Sequence, residues 1–502
     1  MADIIRQVLT NSDLLDCIFK FVPLLWESEH RDLAQCAVVC RAFHEPVIRI
    51  LWRTVGTLFP LWHLLAPLDV PFPFFASGGS RLEYLQTVSA AKLYDDPTRW
   101  DRFLWHTSHI RNLVYVADPL LRGVNEVHLH LLRSVLIKNG GNTVLPLLRS
   151  INWSEDISAM LRDSSLSPLL APTLRHASIY LRGSQDHLAN VTSLRRLRES
   201  SPFLEIITLD TDSNVGADLS LARELASFDR LHEIRLPSLS GPEVFEELVT
   251  QSNIGSLALR EVRGPWVGLA QRIPVHRLLE LDVCGTIPCL TGLFDLARFE
   301  ALRTAQLSFV RTEGYCRIAD IILVLEALRS ATSPGRLQNL TLFAGLLSAT
   351  YWLPSSPCPA IHSFNFFSPV NVVRHEDEDI AALAHAWPHL ERLSLYSGLI
   401  IDTAVSVAAV HHLYTHCPCL KEVSLSHLQC PAIGVHAIPG PQVDRVPPHP
   451  LQNLFIGEIE FALAMAEGAA EGLVRYFLDL FPRLDDRAVH TRSGPLRTPS
   501  TS

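Results

Sequence analysis

The sequence lacks the long apolar run that a membrane-spanning helix requires. None of its uninterrupted apolar stretches reaches the ~18 to 20 residues needed to cross a bilayer. The richest stretch, residues 319–331, is interrupted by Asp320, Glu326 and Arg329. The mean hydropathy of +0.18 is therefore assigned to a buried core, and no membrane partner is expected.

Long runs of one charge sign are also missing. The 502 residues include 43 basic and 52 acidic side chains, a formal net charge of -9, and the two signs are mixed along the chain. This mixture lacks the basic stretches typical of proteins that bind nucleic acid or an anionic membrane. No nucleic-acid partner is expected, and a protein is the expected partner.

Regular cysteine spacing is absent too. The ten cysteines form no disulfide framework, and the first six residues lack the basic start and apolar stretch of a secretory signal. These absences favour reduced thiols and a cytoplasmic or nuclear location. Cys36 and Cys40 have the spacing of two metal ligands on one helix, but no suitably placed second pair accompanies them, so both are expected to pack in a core.

Catalytic motifs are missing as well. The sequence has no nucleophile elbow, phosphate-binding loop, zinc-protease helix or dinucleotide fingerprint. The acidic run at residues 375–379 suits a loop leading into a helix better than it suits a metal site. The chain is therefore not expected to be an enzyme, and neither a cofactor nor a metal is expected.

Helical spacing marks the N-terminal region. Apolar residues recur there on one predicted helical stripe, at Leu14, Leu15, Ile18, Phe19 and Val22. Asn11 or Ser12 is a suitable N-cap. A second helix is predicted around residues 33–40 and a third from Pro46, because proline suits a first helical position. The result is a module of three short helices.

Three pieces of this region carry a family resemblance. They are Leu14-Leu15-x-x-Ile18-Phe19, Val38-Val39-Cys40-Arg41-x-Phe43 and Leu51-Trp52-Arg53. Together they resemble the F-box, in particular that of the large fungal group of F-box proteins with repeat-containing C-terminal regions. The resemblance covers residues 8–54. An F-box commonly opens with Leu-Pro, whereas this chain has Leu9-Thr10.

The resemblance implies a tethering function. An F-box binds a Skp-family adaptor and, through it, a cullin-RING ubiquitin ligase, while the rest of the chain holds a protein substrate. By position in the motif, the adaptor-binding residues or their immediate support would be Leu14, Leu15, Ile18, Phe19 and Val39. For each of them, the alternative is packing between the three helices.

The region after the module, residues 55–109, is predicted to be a linker and helical connection. Residues 56–80 contain four prolines and end in Ser-Gly-Gly-Ser, a composition typical of loops. Trp100, Phe103 and Trp105 follow at near-helical spacing, which favours core packing over a ligand cage.

A repeated pattern occupies the rest of the chain. The motif L-x-x-L-x-L, with other apolar residues allowed, recurs thirteen times. The copies begin at Ile110, Leu148, Leu174, Leu204, Leu231, Ile254, Leu278, Leu302, Leu337, Ile361, Leu390, Leu420 and Leu451. Helix-compatible stretches separate them, so each copy is expected to supply a strand and a crossover that stack on their neighbours.

These repeats predict the domain organisation. Residues 110–484 are expected to form an irregular leucine-rich-repeat solenoid, because the Asn or Cys expected eight residues after the first Leu is often missing. A capping helix is predicted at residues 458–481 and a disordered tail at residues 485–502. The fold class is thus α/β, with a short three-helix F-box-like module at residues 1–54 followed by the solenoid.

Three aromatic residues occupy equivalent positions in successive repeats. Phe343, Phe367 and Tyr396 each follow the final apolar residue of the pattern. Adjacent strands lie ~4.8 Å apart, so the three rings are expected to form a column that binds the substrate. The alternative is that they tuck beneath the loops that follow the strands.

Two functions follow from this organisation. The first is a substrate-recognition subunit of a Skp-cullin-F-box ubiquitin ligase. The second is a leucine-rich-repeat scaffold that no longer binds the Skp adaptor, an idea motivated by Thr10 in place of the usual proline.

Overall fold

The structure of the chain is a computed structural model. It describes residues 11–20, 27–66, 78–90, 96–115, 122–156, 169–181, 187–211, 216–251, 253–264, 266, 272–310, 318–344, 360–368, 376–397, 405–430, 449–461, 469–484, 489–491 and 494–495. Leu9, Thr10 and Val22 lie outside the described residues. The chain divides into two compact units, one formed by residues 1–215, 219–236 and 251–253 and the other by residues 216–218, 237–250 and 254–502.

The first unit begins with three helices, α1 (Ser12–Lys20), α2 (Glu27–Val39) and α3 (Arg41–Leu51). Asn11 caps α1, because its Oδ1 accepts from the backbone N–H of Asp13 and of Leu14, each at 3.1 Å. The buried residues shared by the three helices are Leu15, Phe19, Leu33, Ala37, Val47 and Ile50. The Phe19 ring meets the Phe43 ring edge-to-face at 5.3 Å.

The prediction that the third helix begins at Pro46 was wrong. α3 begins five residues earlier, after Cys40, whose φ of -157° and ψ of 163° are extended. Pro46 lies inside the helix and is buried. Proline fits a first turn well, but the apolar spacing of the whole segment determines where this helix starts.

The connecting region of the first unit contains three helices and a short strand. They are β1 (Thr54–Val55), α4 (Phe59–Leu65), α5 (Gly78–Ala90) and α6 (Pro97–Thr107). Asp96 caps α6 by accepting from the backbone N–H of Thr98 at 3.0 Å. Phe103 is buried and its ring stacks on Trp100 at 5.4 Å, whereas Trp105 is exposed. Core packing therefore holds for Phe103 and not for Trp105.

A parallel sheet forms the remainder of the first unit. Its strands follow chain order: β1, β2 (Asn112–Tyr115), β3 (Ser150–Asp156), β4 (His176–Leu181), β5 (Ile206–Thr211) and the first part of β6 (Glu233–Leu239). The helices between them are α7 (Arg122–Lys138), α8 (His187–Ser200) and α9 (Leu219–Ala226). The repeat pattern does not predict strand β1, because its two residues are too few to show the pattern.

The second unit contains a longer parallel sheet. In spatial order its strands are β7 (Ser256–Val262), β9 (Glu280–Gly285), β11 (Thr304–Phe309), β12 (Asn339–Ala344), β13 (Ser363–Ser368), β14 (Arg392–Ser397), β15 (Glu422–Cys430), β16 (Asn453–Phe461) and β17 (Val489–Thr491). β8 (Ile273–Val275) and β10 (Ala297–Phe299) pair separately. The helices are α10 (Pro242–Gln251), α11 (Ile287–Leu296), α12 (Ile318–Ala331), α13 (Asp377–Ala386), α14 (Val407–His416) and α15 (Ala469–Leu480).

The repeat pattern correctly predicts these strands. Each of the thirteen copies coincides with a parallel strand, and the first apolar residue of every copy is buried. The next two apolar positions are buried as well, so equivalent side chains stack from strand to strand. In the second unit one such row contains Leu281, Ala305, Leu340, Phe364, Leu393, Val423 and Leu454. The α/β class with long parallel sheets is confirmed, and the architecture is solenoid-like.

The C-terminal predictions need correction. Glu458 to Phe461 were expected to start the capping helix but belong to β16, and the helix itself is α15, Ala469–Leu480. Within the expected disordered tail, β17 pairs with β16 and β18 (Gly494–Pro495) pairs antiparallel with β17. A free sheet edge accepts such short strands without requiring an apolar period. No helix in the described part of the chain is both long and apolar enough to span a membrane.

Candidate functional site

The helical module exposes part of its apolar surface. Of the predicted adaptor-binding residues, Leu14 is 40% exposed, Ile18 46% and Val39 68%. Leu15 and Phe19 are instead buried in the module core, so they can serve an interface only as support. The motif residues therefore divide between a surface and the core beneath it.

The division follows from the geometry of α1. Residues four apart lie on the same helical face, so Leu14 and Ile18 share one stripe and Leu15 and Phe19 share the next. The second stripe packs against α3, while the first faces outward. Sequence periodicity identifies both stripes as apolar but does not tell which of them another helix covers.

The end of α2 adds two exposed valines. Val38 is 83% exposed and Val39 lies beside it at the last position of the helix. Val38 belongs to the family motif but is not among the predicted adaptor-binding residues. Cys36 is partly buried against the module core, whereas Cys40 is exposed, so the expectation of core packing fails for Cys40. We call Leu14, Ile18, Val38 and Val39 the module surface.

The three predicted substrate-binding aromatics form a contiguous column on the second unit. Phe343, Phe367 and Tyr396 are paired in register across β12, β13 and β14. The Phe343 and Phe367 rings meet at 5.6 Å, and the Phe367 and Tyr396 rings stack at 4.6 Å with an interplanar angle of 11°. Phe343 and Phe367 are partly exposed and Tyr396 is 39% exposed. The three rings lie on the strands, and the loops that follow these strands lie outside the described residues.

Polar side chains surround the aromatic column on the same sheet face. Asn365 Nδ2 donates to Thr341 Oγ1 at 3.3 Å, and Asn339 Nδ2 donates to Thr304 Oγ1 at 3.2 Å. Beyond the column, Arg392 and Glu422 approach to 3.6 Å. A face of aromatic rings bordered by amides and hydroxyls combines apolar contact area with hydrogen-bonding groups, as protein interfaces do.

The cysteine in the same row is not activated. Cys284 of β9 aligns with Ser308, which aligns with Phe343. Burial raises the pKa of the Cys284 thiol to about 11, and Glu261 and Asp282 add to the effect. The thiol is protonated near neutral pH and is therefore a poor nucleophile.

The acidic run forms the first turn of α13 and not the expected loop, because Glu376 is the N-cap and Asp377 is the first helical residue. The backbone N–H of Glu376 donates to Asp379 Oδ2 at 3.0 Å, and Asp377 Oδ1 accepts from the backbone N–H of Ser406 at 2.7 Å. The carboxylates are thus engaged in capping contacts. Among the described residues, no group of three or more His, Cys, Asp or Glu side chains is placed to hold a metal ion.

Comparisons with known proteins add little. No protein-family model and no curated protein matches the sequence. Among solved structures, the chain is similar to one in the crystal structure of the Rad7 and Elc1 complex in yeast, at 13% identity and a TM-score of 0.33. The match covers 83% of this chain and 95% of that chain. A likeness of this size supports no assignment of function, which therefore depends on the residues themselves.

Proposed function

We propose that the chain is a substrate-recognition subunit of a Skp-cullin-F-box ubiquitin ligase. In this proposal the helical module binds a Skp-family adaptor and the repeat face binds a protein substrate. The chain itself performs no chemistry. It raises the rate of ubiquitin transfer by holding the substrate close to the ligase, which replaces a bimolecular encounter with an effectively intramolecular one.

One observation supports the adaptor-binding half of the proposal more than any other. Motif residues Leu15 and Phe19 build the core of the module, while their neighbours Leu14 and Ile18 are apolar and exposed on the same helix. Folding of the module requires only the buried stripe and does not account for a second apolar stripe that faces outward. Contiguous exposed apolar surface is typical of protein interaction sites.

The repeat face supports the recognition half. The aromatic column offers three rings in contact, each of which still has exposed apolar area to bury on binding. Aromatic residues are enriched among those that dominate binding energy at protein interfaces. The hydrogen-bonding side chains next to the column would then fix the orientation of the bound segment.

Adaptor co-purification tests the proposal. The full-length chain and a version lacking residues 1–54 are each co-expressed with a Skp-family adaptor, and the adaptor retained is quantified. We expect stoichiometric adaptor on the full-length chain and background on the shortened one. Background recovery from both would contradict the proposal and would favour the alternative, a repeat scaffold that does not bind the adaptor.

A ubiquitination assay tests the second half. Proteins captured by the full-length chain are presented to a reconstituted ligase containing it, and their modification is compared with that by a ligase lacking the chain. We expect modification only in its presence. Equal modification in both reactions would show that the chain does not act as a substrate receptor.

A further inference from the structure

Four arginines stand in a row at one edge of the first unit's sheet. They immediately precede successive strands, at Arg53, Arg111, Arg149 and Arg175. The backbone N–H of each donates to the carbonyl oxygen of the one before, at distances of 2.9, 2.7 and 2.8 Å in chain order. Adjacent members are therefore one strand spacing apart, about 4.8 Å. The backbone pairing places charges of the same sign side by side.

Three of the four arginines share a cleft with the helical module. The cavity has a volume of about 350 Å³. Its lining includes Asp16 from α1, Arg49 from α3, Arg53, His109, Arg111 and Arg149. All of these residues belong to the first unit. We call this cavity the arginine cleft.

The charges in the arginine cleft do not balance. Arg49 is accounted for, because it lies 3.7 Å from Asp16 and also pairs with Glu45. Arg111 Nη1 donates to the neutral carbonyl oxygen of Ser108 at 3.0 Å. Within the described part of the chain, the Arg53 and Arg149 side chains have neither a hydrogen bond nor an ion pair. Three guanidinium groups thus remain without a counter-charge.

The electrostatics of the arginine cleft reflect this excess. Burial lowers the pKa of Arg111, and the neighbouring Arg149 and Arg53 lower it further. Burial also lowers the pKa of His109, with Arg49 and Arg111 acting in the same direction and Glu45 against it. Because arginine side chains carry a positive charge at physiological pH, the uncompensated arginines give the cleft a positive potential.

Other basic residues at the same edge of the sheets are paired with a carboxylate. Arg175, the next arginine in the row, lies 3.2 Å from Glu205. In the second unit, Lys421 occupies the equivalent position before β15 and lies 2.8 Å from Glu391, which precedes β14. Arg303, which precedes β11, is a single exposed arginine with no ion pair among the described residues, whereas the cleft brings together three arginines without an ion pair from adjacent strands.

We propose that the arginine cleft binds a phosphate group, carried either by a small soluble phosphate compound or by a phosphorylated side chain of another protein. The proposal is independent of adaptor binding. The phosphate ligand would lie between the helical module and the first repeats and would contact both.

Phosphate fits the arginine cleft better than a carboxylate does. A phosphate monoester has a charge of about -1.5 to -2 and three acceptor oxygens, whereas a carboxylate has a single charge. Guanidinium groups pair with phosphate in two-bond forks, so Arg53 and Arg149 would each gain the partner they lack. The volume is at the small end of ligand pockets, which suits one phosphate and a short carrier.

Two further groups in the arginine cleft bear on the ligand. His109 Nε2 is buried without a hydrogen-bond partner among the described residues, and a phosphate oxygen would supply one. Asp16 opposes an anion, and its buried Oδ1 likewise has no described partner. Removing that carboxylate should therefore strengthen phosphate binding. If the arginines had only a structural role, the affinity would not increase.

Calorimetry on the full-length chain tests the proposal. The probes are pyrophosphate and a phosphoserine peptide, titrated at constant ionic strength, with the unphosphorylated peptide and sodium chloride as controls. Tighter binding of pyrophosphate identifies a small phosphate as the source, and tighter binding of the phosphopeptide identifies a phosphorylated side chain. Binding of neither probe, or equal binding of the unphosphorylated peptide, would overturn the proposal.

Matched variants locate the binding. Arg53→Gln with Arg149→Gln should weaken the affinity for the better probe by about tenfold or more, since each removes a charge-assisted fork. Arg303→Gln, which removes an exposed arginine from the equivalent position before β11, should leave it unchanged. Asp16→Asn should tighten it about threefold or more. An equal loss of affinity in Arg303→Gln, or weaker binding by Asp16→Asn, would overturn the proposal. Unfolding midpoints measured in sodium chloride check that each variant folds.

Discussion

The indole of Trp62 donates from Nε1 to Nδ1 of His128 at 2.6 Å, joining α4 to α7 across 66 positions of sequence. His128 is buried, and its ring also meets Phe59 edge-to-face at 4.9 Å. An acceptor at Nδ1 requires the neutral imidazole with its proton on Nε2. The first unit therefore contains a histidine that the fold keeps uncharged.

This contact predicts that acid destabilises the first unit. Burial lowers the pKa of His128 from 6.5 to about 3, so between these values the unfolded chain binds a proton that the folded chain does not. The stabilisation is complete above the unfolded value and is lost as pH falls below it. At about pH 5 the loss from His128 alone is about 2 kcal/mol. Burial lowers the pKa of His106 to about 4, which acts in the same direction.

Denaturant unfolding between about pH 7 and 5 measures the effect. His128→Gln removes the titration and retains an acceptor for Trp62, so the pH dependence should become shallower. His130→Gln, on the exposed side of the same helix, is the control and should retain the parent slope. Identical slopes for the parent chain and His128→Gln would show that His128 is not the group responsible.

The two apolar stripes of α1 predict opposite outcomes for neighbouring leucines. Leu15→Ala removes a buried side chain and should cost about 2 to 5 kcal/mol, while Leu14→Ala changes an exposed position and should cost less than about 0.5 kcal/mol. Hydrogen exchange of residues 12–51 in the full-length chain reports the stability of this module locally. Similar protection in both variants would place Leu14 in the core and remove it from the module surface.

The aromatic column predicts a loss of substrate capture without a loss of folding. Phe343→Ala with Tyr396→Ala removes both ends of the column and should reduce capture by about tenfold, the typical effect of losing aromatic anchors. Phe455→Ala is the matched control, because Phe455 is an exposed aromatic on β16 outside the column. The measurement is the amount of each co-purifying protein, taken with the ligase inactive. Unchanged recovery would exclude the column as the binding site.

Like-charge repulsion in the arginine cleft predicts a salt-dependent stability change. In the absence of phosphate, Arg149→Gln should raise the unfolding temperature at low salt, because it relieves repulsion with Arg111 and Arg53. The gain should disappear near 1 M NaCl, where screening acts within about 3 Å. A gain that persists at high salt would point to a cause other than charge.

The repeated strands could be predicted from sequence because their signal is local. Each copy places apolar residues at fixed offsets, and a parallel strand buried on one face requires that alternation. Their pairing order follows as well, since stacked repeats contact their chain neighbours. The aromatic column followed from the same register, which is why three residues 24 and 29 positions apart meet in the fold.

The remaining features depend on contacts that sequence offsets do not specify. Whether Leu14 or Leu15 is buried depends on where α3 packs, and the apolar pattern is the same for either choice. The arginine row did have a sequence signal, because Arg111, Arg149 and Arg175 each follow the first apolar residue of a copy directly. Its fourth member, Arg53, precedes a strand too short to be recognised, and the cleft appears only when that strand pairs with β2.

The affinity of the full-length chain for a Skp-family adaptor tests the central claim most directly. The chain is compared with Leu14→Asp plus Ile18→Asp, which charges the module surface and spares its core. The control is Leu188→Asp, which charges an exposed leucine on α8, outside the module. The account predicts measurable binding by the parent chain, unchanged binding by Leu188→Asp, and a dissociation constant raised about tenfold or more in the double variant. Binding that is absent from the parent chain, or equal in all three, would contradict it.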